Sequence, residues 1–283
     1  MNIVGQRKLI KSIDRLIDTN NFSRYSIIQG AFGSGKKVIS AYIAKKLNAM
    51  FIPCNISVDS VRDVIALSYE LTEPTVYMWA DADKMSINAK NAVLKVTEEP
   101  PQNAYFIMTT TNTNRLLSTL ISRGRVFNIQ PYSHEDLKEY ILNKYDNISN
   151  NTLSIVSNIS QTPYDVQTLM STDINKMNNI VNVLCDGIGI NNLANELKVA
   201  TFLKVKDDET EKFDAILFMR ACMFRYMEMM INSSEDVLIY SKLIELTSCY
   251  ISEMLSKSLN KVATLDNWII DMHQTAVAER HEI

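Results

Sequence analysis

The stretch Gly30-Ala31-Phe32-Gly33-Ser34-Gly35-Lys36-Lys37 has the G-x-x-x-x-G-K spacing of a phosphate-binding loop. In such a loop the backbone N–H groups and the start of the following helix face the phosphates. The glycines, here Gly30, Gly33 and Gly35, permit close approach, Ser34 lies among them, and Lys36 reaches the terminal phosphates. The next residue departs from the pattern. Where a nucleotide hydrolase places a serine or threonine on magnesium, this chain has Lys37. An ammonium carries only donors and a positive charge, whereas the metal selects oxygen ligands. The expectation is a degenerate site for ATP, with Mg²⁺ deprived of its usual ligand and phosphoryl transfer weakened.

A second metal-handling element belongs at the end of a later strand, as an Asp for the metal and a Glu to orient the attacking water. The candidate is "VYMWADADKM". In one register Ala80 takes the metal position and Asp81 that of the base; one place later, Asp81 is the ligand and Ala82 the missing base. Either way one of the two carboxylates is lost.

Several elements must position these residues. "YSIIQG" is a short apolar run leading into the loop, and "KKVISAYIAKKLNA" has helical periodicity after it. "MFIPCN", "TVYMWA" and "AYFIMTTT" read as further strands. Between them lie "SVDSVRDVIALSYEL", a helix with a Ser or Asp cap, and a helix from about 88 to 96. An amphipathic helix at about 5–16 precedes them all, with Leu9, Ile13 and Leu16 on one face. Strands alternating with helices predict a parallel sheet covered on both faces. After "VFNIQPYS" the pattern is helical only, opening with Ser133 and Asp136 at capping-box spacing. The expected class is therefore α/β followed by all-α. Its domains are an α/β unit at 1–131, a small helical unit at 132–175 and a C-terminal helical unit at 176–283.

Composition excludes several classes. Hydrophobic residues at 46% and charged residues at 22% are those of an ordinary globular protein. No apolar run approaches the length of a membrane span, and the N-terminus lacks a signal-peptide core, so a cytoplasmic location without a membrane partner is expected. A net charge of −3 excludes bulk electrostatic coating of nucleic acid. Local phosphate contacts remain open to Lys84, Lys90, Lys95, Arg115 and Arg125. Cys54, Cys185, Cys222 and Cys249 form no C-x-x-C pair and the three histidines are scattered. Buried free thiols are expected, with no zinc and no other metal site. The prolines of Glu98-Glu99-Pro100-Pro101 read as a helix stop with solvated or salt-bridged acids. The Met and aromatic stripe at 218–230 reads as core packing.

One long segment carries a resemblance. "NAVLKVTEEPPQNAYFIMTTTNTNRLLSTLISRGRVF" resembles the clamp-loader branch of the AAA+ ATPases, whose pattern is N-A-L-L-K-x-L-E-E-P-P, an apolar strand ending in Thr, a leucine-rich helix and S-R-C. "IVGQ" and "GSGKKVISAYIAKKL" are similar to the same family, and a Lys after the loop lysine resembles its delta-prime type. The likeness covers about residues 1–170. It implies a RecA-like AAA+ P-loop domain, a helical lid and a helical collar for oligomerisation.

By the same resemblance, Ser122-Arg123-Gly124 matches S-R-C with the cysteine replaced, and Arg123 is implied to be an arginine finger offered to ATP on a neighbouring subunit. A planar, permanently charged fork suits that task; the alternative is a surface arginine capping its own helix. Thr110 or Thr111 is similar to the sensor-1 residue at a strand end, with strand packing as the alternative. In "QTPYDVQTL", Tyr164 replaces the sensor-2 arginine. The resemblance implies a subunit that does not itself hydrolyse ATP. It would work in a hetero-oligomer with other clamp-loader subunits, a sliding clamp and primer-template DNA. The alternative is an ATP-hydrolysing motor subunit or another DNA-remodelling AAA+ protein; a purely structural scaffold would make Arg123 dispensable.

Overall fold

The computed structural model describes residues 3–190, 192–204, 214–232, 236–256 and 260–281. The chain divides into two compact units, Met1–Tyr140 with Gln161–Tyr164, and Ile141–Ser160 with Asp165–Ile283.

The first unit holds strands β1 (Tyr25–Gln29), β2 (Met50–Cys54), β3 (Thr75–Trp79), β4 (Ala104–Thr110) and β5 (Arg125–Asn128). They form one sheet in the order β2-β3-β4-β1-β5, and every pairing is parallel. Its helices are α1 (Arg7–Asp18), α2 (Lys36–Lys46), α3 (Val58–Ser68), α4 (Ile87–Glu98) and α5 (Ser118–Arg123). Alternate strand residues serve two separate cores. Tyr25, Ile27, Tyr77, Trp79, Phe106 and Met108 face one way, onto Val61 of α3, Val93 of α4 and Leu120 of α5. Ile28, Val76, Met78 and Ile107 face the other, onto Ile13 of α1 and Ile39 and Ile43 of α2. Burial on both faces is why these strands read as unbroken apolar runs. Pro53, which has no N–H, sits in edge strand β2, where a missing ladder bond is tolerated.

Local signals start and stop the helices. Ser57 caps α3 and Ser86 caps α4, each side chain accepting a backbone N–H. Pro100 and Pro101 follow the end of α4. Ser133 and Asp136 make a reciprocal capping box, Ser133 N donating to Asp136 Oδ2 (3.0 Å) and Asp136 N to Ser133 Oγ (3.1 Å), at the start of α6 (His134–Lys144).

The second unit is helical. After the end of α6 it contains α7 (Asn150–Ile159), α8 (Pro163–Met170, from its third residue), α9 (Ile174–Gly187), α10 (Leu193–Lys204), α11 (Ala215–Asn232), α12 (Val237–Ser256) and α13 (Lys261–His281). Phe218, Met219, Cys222 and Tyr226 of the Met and aromatic stripe are buried, whereas Met223, Phe224, Met229 and Met230 are half-buried and Met227 is exposed, so the stripe is core only in its first part. One thiol expectation is corrected. Cys185 and Cys222 are buried, but Cys54 is half-buried and Cys249 exposed. Cys249 lies two residues beyond buried Thr247 on α12, which turns it about 200° away from that buried face. No described helix is long and apolar enough to cross a membrane.

Candidate functional site

In a parallel sheet all strand C-termini share one edge, and loops beyond that edge form the binding crevice. The glycine loop follows β1, the Ala80–Lys84 turn follows β3, and Thr110 ends β4. Because β4 lies between β3 and β1, the three meet. Gly30 N donates to Thr110 O (3.1 Å), and Asp81 N donates to Thr109 Oγ1 (3.3 Å).

The loop keeps the expected backbone. Gly33 and Gly35 have φ of 75° and 90°, a region that favours glycine. At Gly30 a Cβ would stand 2.6 Å from Ser34 Oγ and 2.9 Å from Ile129 Cβ, so only glycine fits. Lys36 is buried and folded back on its own loop, donating to Gly30 O (2.9 Å) and Ala31 O (2.8 Å). Burial pushes its ammonium pKa down, and Asp81 and Asp83 oppose that shift. Lys37 is exposed. Tyr132 Oη donates to Ser34 O (2.8 Å), and burial pushes that phenol up to about 12. Ser34 Oγ itself is buried without a partner among the described residues. It borders a cavity of about 470 Å³ lined also by Ala31, Gln130, Tyr132 and Thr162.

Tyr164 lies on the loop. A Cβ on Gly33 would be 2.3 Å from Tyr164 Cβ, and the Phe32 and Tyr164 rings meet edge to face at 5.0 Å. The residue aligned with a sensor arginine is thus an aromatic cover on the glycine loop.

The acidic turn is committed elsewhere. Asp81 has φ of 51° and its Oδ2 pairs with Lys84 Nζ at 2.9 Å. Ala80 is exposed and Ala82 fully buried. Thr110 is buried and donates to Asp83 Oδ1 (2.9 Å) while accepting from Asn112 N (3.0 Å); Thr111 is exposed. Asp83 did not figure among the sequence candidates. Its signal was the second acid of "ADAD", but its threonine partner is 27 residues away. Lys90, one of the candidate phosphate contacts, needs correction. It is buried, donating to Asp83 O (3.2 Å) and Arg115 O (2.9 Å), so its charge holds two loops instead of facing solvent.

Arg123 stands at the opposite edge. It ends α5, two residues before β5 begins, and Arg125 pairs with Ser26 near the start of β1. The glycine loop lies beyond the other end of β1, about 16 Å away at roughly 3.3 Å per residue. That exceeds the reach of an arginine side chain. Arg123 Nη1 donates to Thr119 O (2.9 Å) and Nη2 to Glu98 Oε1 (2.7 Å). Gly124 replaces the pattern's cysteine because its surroundings are full. A Cβ there would be 2.7 Å from Tyr25 Cε1 and 3.2 Å from Ile27 Cδ1.

Comparisons with known proteins bear on family and fold. Residues 54–133 match the family model described as DNA polymerase III, delta subunit. DNA polymerase III subunit gamma of Buchnera aphidicola (subsp. Schizaphis graminum) is 24% identical over 245 residues, covering 73% of this chain and 68% of that protein. DNA polymerase III subunit delta-prime of Haemophilus influenzae is 32% identical over 93 residues, 32% of this chain and 28% of that protein. Against the other gamma and tau relatives found, the chain spans about half their length or less. Among solved structures, a DNA polymerase III gamma subunit-related protein of Thermotoga maritima superposes with a TM-score of 0.51 at 15% identity, covering 95% of this chain and 99% of that one; at such identity the likeness is one of fold.

Proposed function

We propose that this chain, which belongs to the AAA+ clamp-loader family of DNA polymerase III subunits, acts as a delta-prime-type subunit. It lends Arg123 to ATP bound by a neighbour and does not turn over ATP itself. Its partners are other clamp-loader subunits in a hetero-oligomer, a sliding clamp and primer-template DNA. The observation that carries this reading is the position of Arg123. It lies a full strand length from its own loop, so its guanidinium cannot reach a nucleotide held there, which supports a role in trans over one in cis.

The chain's own loop supports the same division of labour. The donor set is poor for a magnesium ion: Lys37 puts a cation where a hydroxyl would ligate, alanines flank Asp81 on both sides, and Asp81 is shared with Lys84. The glycine cradle and adjoining cavity have room for part of a nucleotide. Lys36 must first leave the carbonyls of Gly30 and Ala31 to reach a phosphate. Any nucleotide bound in cis would therefore rest on the loop N–H groups and Lys36 without a metal, and would not be hydrolysed.

The test is to reconstitute the loader from the same source and compare wild type with Arg123→Ala. The variant should assemble normally while turnover at the neighbouring ATP site falls by about 10³, the scale of a lost arginine finger. Unchanged ATPase would refute the proposal. A motor subunit is the second reading, favoured by the relatives named gamma and tau. It requires the purified chain alone to hydrolyse ATP and Lys36→Ala to abolish that activity.

A further inference from the structure

The guanidinium of Arg123 is held at both ends. Its backbone continues into Gly124, which lies against the Tyr25 ring. Its head donates to Thr119 O one turn back in α5 and to Glu98 Oε1. The Glu98 contact, at 2.7 Å, is a short charge-assisted bond. Two of the five N–H groups of the fork are used, which leaves three for an approaching anion, and the side chain is 35% exposed.

Glu98 occupies an unusual place for an acid. It is the last residue of α4, where the helix dipole disfavours a carboxylate, and Pro100 and Pro101 prevent the helix from carrying it further. The cation that offsets this comes from the end of α5, 25 residues on. Arg123 also satisfies a carbonyl in the last turn of its own helix. The ends of α4 and α5 are thus tied through a single guanidinium.

We infer that Glu98 is the positioning residue of this site: it orients the Arg123 fork so that its open N–H edge is presented to the oligophosphate of a nucleotide on a neighbouring subunit. This rests on the reading of Arg123 as a finger used in trans. An unrestrained arginine loses much rotational freedom when it engages a phosphate, and an arm already oriented loses less. The negative charge of Glu98 works against this by weakening the pull on an anion. It is 57% exposed and so largely screened by solvent. Orientation outweighs charge, and an uncharged acceptor at the same place should serve nearly as well.

The experiment is steady-state ATPase of the reconstituted loader carrying Glu98→Ala, Glu98→Gln, Arg123→Ala or Glu98→Ala with Arg123→Ala. Assembly is checked by size-exclusion chromatography and the fold by urea midpoint. Glu98→Ala should lower kcat about tenfold, as displacement of a positioned group does, with KM for ATP unchanged. Glu98→Gln, which keeps an oxygen acceptor, should recover most of that loss. The double variant should be no slower than Arg123→Ala alone, because Glu98 acts only through Arg123. Wild-type kcat in Glu98→Ala, or additive losses in the double variant, would overturn the role of Glu98. An Arg123→Ala complex with wild-type ATPase would instead overturn the finger reading on which it rests.

Discussion

Placing the cysteine of the S-R-C pattern at position 124 should damage this protein, and the structure gives the size of the effect. A Cβ at Gly124 would lie 2.7 Å from Tyr25 Cε1 and 3.1 Å from Cδ1. Carbon atoms rest at about 3.5–4.0 Å, so the overlap is about 0.8 Å before the sulfur is placed. The ring cannot swing aside freely. Tyr25 is 2% exposed, and its hydroxyl donates to Met108 Sδ at 3.2 Å. On the other side Ile27 Cδ1 closes the gap at 3.2 Å. Overpacking of this kind costs about 1–3 kcal/mol. Hydrogen exchange is the suitable assay, because it reads β1 and β5 separately from the helical unit. A cost of about 2 kcal/mol should lower protection of the amides at 25–29 and 125–128 by up to about 30-fold. In a Tyr25→Val background the ring is gone, and Gly124→Cys should cost little, a coupling of about 1–2 kcal/mol between adjacent sites. Equal cost in both backgrounds would refute the claim that tyrosine volume selects glycine here. So would increased protection in the single variant.

Further predictions concern the loop edge and the thiols. Thr110→Val removes the hydroxyl between Asp83 and Asn112 and should destabilise the chain by about 1–3 kcal/mol in urea unfolding, while Thr111→Val, at an exposed position, should change it by less than about 0.5 kcal/mol. Gly33→Ala forces a side chain into φ of 75° and against Tyr164 Cβ; a loss of at least about 1–2 kcal/mol is expected, seen as a lower urea midpoint. Lys90→Met should lower stability by about 1–2 kcal/mol yet leave the salt dependence of DNA binding by the loader unchanged, because the ammonium is occupied by Asp83 O and Arg115 O. Burial pushes the Cys54 thiol up to about 11 and Cys222 well above its ordinary value. Under native conditions at pH 8 a thiol reagent should therefore modify exposed Cys249 first, Cys54 more slowly, and Cys222 only after unfolding, as mapped by mass spectrometry.

What was legible in the sequence were features with short-range causes. The glycine loop announces itself because φ-positive glycines and a following helix are adjacent in the chain. The strands announce themselves because burial on both faces leaves apolar runs such as "TVYMW", Thr75–Trp79, with no polar interruption after the first residue. The capping box at Ser133 and Asp136 spans three residues. The pairings that set the chemistry were not legible, because each joins residues far apart. Glu98 meets Arg123 across 25 residues, Asp83 meets Thr110 across 27, and Tyr164 reaches the loop at Gly33 from another part of the chain. Burial of Lys90 was hidden for a related reason. Its helix pattern cannot say that two carbonyls from separate loops await an ammonium on that face.

The contacts of Thr110 have one geometric origin. Strand order is not sequence order here: β4 lies between β3 and β1. That insertion brings Thr110 beside the turn after β3, where its hydroxyl meets Asp83, and beside Gly30, whose N–H bonds to its carbonyl. One residue therefore anchors both the acidic turn and the mouth of the glycine loop. The carboxylate nearest the strand end is answered by Lys84 and the next by Thr110. With one oxygen of each already engaged and Lys37 in place of a hydroxyl, a divalent cation would compete with Lys84 for Asp81 and meet Asp83 with one oxygen taken. Replacing Lys37 alone with Thr should accordingly fail to create ATP turnover in the isolated chain. Turnover appearing in Lys37→Thr, measured by phosphate release and absent from Lys36→Ala with Lys37→Thr, would show that the acidic turn is freer than its hydrogen bonds indicate.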